Sequence, residues 1–385
     1  LPVPNNLSIF NFRRLPKAFL IAIGIIVMVK VVEVFVLPFN FLTFRVWEAL
    51  SVRAYSDILP GPFYPNMKIS MVEEGDLRPH TRFAVKKKVE WQTDRYGYRK
   101  ADSPDPRYPI VVIGDSAIAG AGLTQEDMFS EVLERRSGRR VYPLAPATLN
   151  TLLESRRFQE WPPEVVIVAS VEREIRYLPD IGMPAAPVSV EEISGFRKLG
   201  REILKRYPYG AVLLDHQSKN IIRGYMEARL SRWEQRIKES FETDAGGRSA
   251  EREAGAGEDI FFCQGAVANQ DIPDREISNV IRILKGYRDA LARRGIRFIF
   301  LPIPNKENIF YEYFPRKKRP TLIEKLITEL RRQGVEVVDT QKAFSQAYRE
   351  KNIMLYHTDD SHWNANGVRL AVFLLERQLR LKDDH

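Results

Sequence analysis

The side chains best suited to catalysis lie in two short segments far apart, Gly114-Asp115-Ser116 and Asp359-Asp360-Ser361-His362-Trp363-Asn364. A serine hydroxyl becomes a nucleophile beside a base, and the base acts best when an acid orients it. Ser116 offers the hydroxyl, His362 the imidazole, and Asp360 and Asp359 the carboxylates, two and three residues before the histidine. Ser116 comes after the apolar run Ile110-Val111-Val112-Ile113 and precedes the small residues Ala117 to Gly122. That setting predicts a tight turn at the carboxyl edge of a parallel strand. The tripeptide alone fits equally well with Ser116 as a helix cap. The second segment is more specific, because two aspartates and a histidine stand just ahead of a helical pattern through Val368, Val372, Leu375 and Leu379. Asn364 or Asn366 would cap that helix, and Trp363 would pack under the imidazole. Of the five histidines, His80, His216, His357 and His385 have no such company and read as surface or core residues.

The scaffold for these groups is read from hydrophobic pattern. Short apolar runs at residues 110–113, 140–144, 165–169, 297–301 and 335–338 are bounded by charge, proline or glycine, as strands buried on both faces should be. Amphipathic stretches at 125–136, 279–294 and 321–333 separate them. This alternation predicts an α/β fold, a doubly wound parallel sheet with helices on both sides. Residues 108–385 would form this domain, with a helical insertion at about 191–260 that includes 221–241 and a small, polar, mobile loop at 243–259. Residues 38–107, rich in proline and aromatics, read as an extended stalk wrapped onto the body.

Residues 18–37 are almost wholly apolar, broken by Lys30 and Glu33, and are preceded by Arg13, Arg14 and Lys17. Such a run predicts an uncleaved transmembrane helix, with residues 1–17 in the cytoplasm and the large domain outside. Lys30 and Glu33, three apart, would pair or contact a membrane partner; alternatively Lys30 snorkels to the outer surface. Among 385 residues there is one cysteine, Cys263, which excludes an intramolecular disulfide and a cysteine-based zinc site. The formal charge of +9 is scattered, with one dense run at Arg316-Lys317-Lys318-Arg319 that reads as a solvated loop, and no nucleic-acid motif appears. Apolar content of 44% against 28% charged residues predicts a globular body.

Gly114-Asp115-Ser116 together with the C-terminal Asp-Ser-His-Trp-Asn resembles the SGNH/GDSL hydrolase superfamily, most closely its membrane-anchored, alginate O-acetyltransferase-like branch. Three further segments resemble that branch: Asp94-Arg95-Tyr96-Gly97-Tyr98-Arg99, Val171-Glu172-Arg173, and Pro302-Ile303-Pro304-Asn305-Lys306 with Ile309-Phe310-Tyr311. The resemblance implies a three-layer SGNH-like domain, a Ser116–His362–Asp360 triad with Asp359 as the alternative acid, and no metal or organic cofactor. It also implies an O-acyltransferase, most simply an O-acetyltransferase, that modifies a glycan in polysaccharide biosynthesis at the inner membrane and faces the periplasm. The acetyl donor would come from a multi-pass membrane-bound O-acyltransferase. A carbohydrate esterase and a degenerate glycan-binding or scaffold subunit are the rival implications. In the superfamily the oxyanion is usually held by the serine amide, a second-block glycine and a third-block asparagine. Here alanines stand in the second block and Glu172-Arg173 in the third. Ala147, Arg173 and Lys306 are the expected oxyanion or substrate residues, with Arg173 alternatively pairing with Glu172. The serine block precedes the histidine block, as in most of the superfamily but unlike some alginate enzymes.

Overall fold

The computed structural model describes residues 15–35, 43, 45–79, 81–183, 195–219, 260–263, 272–313 and 321–383. Two antiparallel strands, β1 (Lys68–Glu73) and β2 (Lys87–Gln92), form a hairpin. The central sheet comprises β3 (Ile110–Ile113), β4 (Val141–Leu144), β5 (Val165–Val171), β6 (Arg297–Ile303) and β7 (Glu336–Val337). All five are parallel, in the order β4-β3-β5-β6-β7. The chain thus winds outward in both directions from β3, and a crevice opens at the carboxyl ends of β3 and β5.

Strand residues are apolar in unbroken runs because both faces are covered. Ile110, Val112, Ile167 and Leu301 face one core with Phe129 and Leu133 of helix Phe129–Ser137 and with Val372 and Leu375 of helix Ala365–Asp383. Val111, Ile113, Val168 and Phe300 face the other with helices Asp274–Ala292 and Leu322–Arg332. The fold class expected from the alternation is therefore the one observed. The run expected as one helix over 125–136 is a 3-10 turn, Gln125–Asp127, succeeded by the α-helix that begins at Phe129.

Within 38–107 the chain contributes to the first core, with Val46, Phe63, Tyr64 and Trp91 wholly buried beside the sheet. Trp47, Phe63 and Trp91 meet edge to face at 5.0–6.5 Å. Gly97 (φ +72°) lies so close to Phe63 that a Cβ would stand 2.3 Å from its carbonyl oxygen, so this turn requires glycine. Two helices of the insertion, Gly195–Arg206 and Pro208–Ser218, are described. Buried Asp215 accepts the backbone N–H groups of Arg53, Ala54 and Tyr55 and the Tyr64 hydroxyl, and so fastens the insertion to the N-terminal segment. The expected features at 221–241, 243–259 and Arg316–Arg319, and His80 and His385, lie outside the described residues.

The N-terminal apolar run forms a helix, Leu15–Phe35, with Phe19, Leu20, Ile26 and Met28 exposed. Among the described residues no helix is long and apolar enough to cross a membrane, so the expected span over 18–37 is not supported by the structure. Lys30 and Glu33 interrupt the run, and their side chains lie outside what is described.

Candidate active site

Ser116 stands where the topology opens. Immediately after β3, Asp115 folds the chain back on itself. Its Oδ1 accepts the Ala117 N–H at 2.8 Å, and its Oδ2 accepts the Val171 N–H at the end of β5, at 2.9 Å. Gly114 makes that approach possible, since a Cβ there would lie 2.5 Å from Ile118 Cγ1 and 3.1 Å from the Ala169 carbonyl oxygen. The residues after Ser116 form a series of turns rather than a helix, so the cap reading of the serine does not apply. These turns are tied down by Arg99, which is fully buried and stacks 3.9 Å over Trp91. Its guanidinium donates to the carbonyls of Gly120 (2.5 Å), Leu123 (2.7 Å), Ala119 (3.3 Å) and Glu90 (3.0 Å). Burial pulls the Arg99 pKa down to about 9, which leaves it a cation at neutral pH. In the same element, Asp94 accepts the N–H groups of Tyr96 and Tyr98 and the Tyr142 hydroxyl.

The structure brings Ser116 and His362 together across 246 positions of sequence, with Oγ 2.8 Å from Nε2. His362 Nδ1 lies 2.6 Å from Asp360 Oδ1, which also accepts the His362 backbone N–H at 2.9 Å. Burial opposes charge on Asp360, but the adjacent imidazole and then Lys87 outweigh it and hold this carboxyl well below the usual carboxylate range. Asp359 has a different task. It is wholly buried, and its Oδ2 accepts the N–H groups of Gly75 at 2.9 Å and Val85 at 2.8 Å. Asn364 caps the C-terminal helix, accepting the N–H groups of Asn366 and Gly367. Trp363 stacks on Phe129 with rings 2° from parallel and donates to the Ala117 carbonyl, so it braces the turn that carries the nucleophile.

The expected oxyanion residues separate. The Ala147 N–H is already committed to the Gly114 carbonyl at 3.0 Å. Its position on the wall of the cleft is retained, but its donor is spent, which corrects the expected role. Lys306 is also elsewhere: buried, it donates to the carbonyls of Thr358 (2.8 Å) and Asp360 (3.1 Å). It holds the acid–base loop from behind, and burial pulls its pKa down to about 8. Arg173 lines the same cleft as Ser116. It does not pair with Glu172; its nearest acid is Glu174 at 3.9 Å. Glu172 turns inward, wholly buried, and accepts the Asn305 N–H at 3.1 Å and the Asn308 side-chain amide. Burial raises its pKa to about 7. Among the described hydrogen bonds none uses the Ser116 N–H, and Arg173 lines the same cleft with Thr148 and Ser170.

The cleft measures about 410 Å³ and is bounded by Ser116, Ala147, Thr148, Arg173, Tyr177 and Leu178. Tyr177 is 63% exposed at its rim. Asp76, Asp360 and His362 each bring a ligand atom within 4.8 Å of the others, the one such acid and histidine group among the described residues. Both imidazole nitrogens are already engaged, Nδ1 with Asp360 and Nε2 with Ser116, so neither is left to face a cation between the three groups.

Sequence reasoning did not single out Asp76, Lys87 or Arg99 individually, and it set His357 aside. Lys87 Nζ lies 3.7 Å from Asp360 Oδ2, and Asp76 Oδ2 lies 3.7 Å from His362 Nδ1. Burial first, then Lys87, presses His357 down to a pKa of about 3, so it stands neutral beside the pair. Only Arg99 carried a signal, as the end of the Asp94–Arg99 element; the others reach the site through long-range packing.

Residues 256–384 match the model of the SGNH hydrolase-like domain of the acetyltransferase AlgX. That match covers 129 of the 385 residues. The match includes Asp360 and His362, while Ser116 lies outside it. Among solved structures, the chain is similar to a lipolytic protein of the G-D-S-L family from Desulfitobacterium hafniense DCB-2. That likeness has 12% identity and a TM-score of 0.34, and covers 70% of this chain and 97% of the other. It is also similar to an acylhydrolase from Bacteroides fragilis NCTC 9343, with 12% identity, a TM-score of 0.29 and coverage of 74% and 91%. No curated protein matches the chain significantly.

Proposed function

We propose that this protein is an extracytoplasmic O-acyltransferase that moves an acetyl group onto a glycan hydroxyl through an acyl-serine intermediate. The observation that carries the reading is the continuous relay Ser116–His362–Asp360, with contacts of 2.8 and 2.6 Å, at the mouth of a cleft. His362 Nε2 takes the Ser116 proton as Oγ attacks the acetyl carbonyl. Asp360 holds the tautomer with Nδ1 protonated and stabilises the imidazolium. The oxyanion is met by the Ser116 N–H and the Arg173 guanidinium. Collapse returns the proton from His362 to the leaving oxygen of the donor and leaves acetyl-Ser116. A glycan hydroxyl then gives its proton to His362 as it attacks the acetyl carbon, and on collapse His362 returns that proton to Ser116 Oγ as the acyl–serine bond breaks. No step calls for a metal or an organic cofactor.

The cleft suits a sugar: an exposed aromatic, Tyr177, lines it, and Ser116, Thr148, Ser170 and Arg173 supply polar groups within a largely apolar wall. The exposed apolar side chains of helix Leu15–Phe35, which follows Arg13 and Arg14 in sequence and carries Lys17 in its first turn, support attachment to a membrane with the cleft on the outer, periplasmic side. The donor would then be an acyl group delivered through that membrane by a membrane-bound partner.

The test is turnover of 4-nitrophenyl acetate by the detergent-solubilised full chain, with and without candidate glycans and with S116A as control. Serine-dependent turnover with acetate appearing on glycan supports transfer. Serine-dependent release of free acetate alone makes the protein an esterase. Equal rates in both proteins remove the nucleophile and leave a binding subunit.

A further inference from the structure

The loop between β1 and β2 lies outside the parallel sheet, yet it surrounds the acid–base pair. Gly75 and Val85 donate to the Asp359 side chain, and the Leu77 N–H donates to the Asp359 carbonyl at 3.0 Å. A Cβ on Gly75 would stand 2.2 Å from that carbonyl oxygen, so the two loops touch at backbone distance. Those contacts fix position. Two others bring charge. Asp76 accepts the N–H and hydroxyl of Ser361, both at 2.7 Å, and its Oδ2 lies 3.7 Å from His362 Nδ1. Lys87 places its ammonium 3.7 Å from Asp360 Oδ2, a buried oxygen with no hydrogen-bond partner among the described groups.

We propose that Asp76 and Lys87 are positioning residues that set the protonation of the Asp360–His362 pair from opposite sides and with opposite sign. The proposal rests on the serine-nucleophile reading of Ser116. Lys87 favours the anion on Asp360 and disfavours protonation of the adjacent imidazole; Asp76 favours that protonation. A charge at this separation is worth about 1–3 units of pKa when partly shielded from water. The other groups facing the pair are Arg45, 3.6 Å from Asp76; neutral His357; Asp359, held by two amides; and Lys306, whose ammonium is spent on two carbonyls.

The test is a titration of the His362 imidazole by NMR in the full chain in detergent, with the resonance assigned by H362Q. Lys87→Met should raise the His362 pKa by about one unit and Asp76→Asn should lower it by about one unit. Lys87→Arg should restore the wild-type value, which separates charge from shape. No displacement, or displacements of the same sign, overturns the proposal. In parallel, the acid limb of Ser116-dependent ester turnover should move with the titration. Opposite shifts in a chain with no Ser116-dependent turnover would overturn the nucleophile reading while upholding the charge assignment.

Discussion

Ser116 and His362 meet at 2.8 Å, but the two sides of that contact are held in different ways. The nucleophile turn is fixed mainly by backbone geometry. Gly114 permits a close approach, Asp115 joins β3 to β5, and one buried guanidinium, Arg99, gathers the carbonyls of the turns beyond the serine. The acid–base loop is fixed by side-chain charge, with Asp359 taking two amides, Lys306 supporting two carbonyls, and Asp76 and Lys87 flanking the pair. A nucleophile needs a fixed direction of attack, which a constrained backbone supplies. A base must change protonation twice in each cycle, and surrounding charge tunes how readily it does so.

The contrast is broken most sharply by paired changes in the two adjacent aspartates. Asp360→Asn should leave folding intact and cut Ser116-dependent turnover by about 10⁴-fold, comparable to Ser116→Ala, because the imidazole loses its orienting acid. Asp359→Ala should act first on stability. Stranding two buried N–H groups costs about 4 kcal/mol, read as a fall in denaturation midpoint. If the two variants exchanged these signatures, the assignment of the acid would be reversed.

The next effect is one of pH. Glu172 has its pKa raised by burial from 4.5 to about 7, so between those values the folded chain binds more protons than the unfolded one. Its contribution is full below about pH 4.5 and is lost as pH rises through 7. The change is worth about 3 kcal/mol. Glu172→Gln, which keeps an acceptor for the Asn305 N–H, should flatten the thermal midpoint across this window. An unchanged slope would place the proton elsewhere. The smallest effect is expected at Gly114→Ala. Overpacking against Ile118 should cost about 2 kcal/mol. If geometry is what the nucleophile side requires, turnover should fall more than stability does.

How legible these parts were in the sequence depends on the forces that hold them. Strands buried on both faces are continuous apolar runs, so the five parallel strands could be placed from residues such as Ile110–Ile113 without knowing their neighbours. Ser116 and His362 were legible because their local settings are unusual. The choice between Asp359 and Asp360 was not, since spacings of two and three residues are both reasonable in a loop. It depends on where the amides of Gly75 and Val85 arrive, more than 270 positions away. The Ala147 amide looked free because a backbone donor leaves no mark in sequence when it is taken up, here by Gly114. Lys306 was noticed as a cation near the site, but burial turned it toward two carbonyls. Asp76 in the β1–β2 loop and Lys87 at the start of β2 belong to a stretch with no sustained helical period, so nothing local announced that they would reach the site.

The 246 positions that separate Ser116 from His362 also bear on how the molecule comes into being. A chain made from its amino end presents the serine long before the imidazole exists. At about 5–20 residues per second, the interval is tens of seconds. Throughout it the hydroxyl is no better a nucleophile than that of any other serine. On the acyl-serine reading proposed above, reactivity would arrive only when the last segment docks beside the first sheet strand, and an unfinished or clipped copy would be chemically silent.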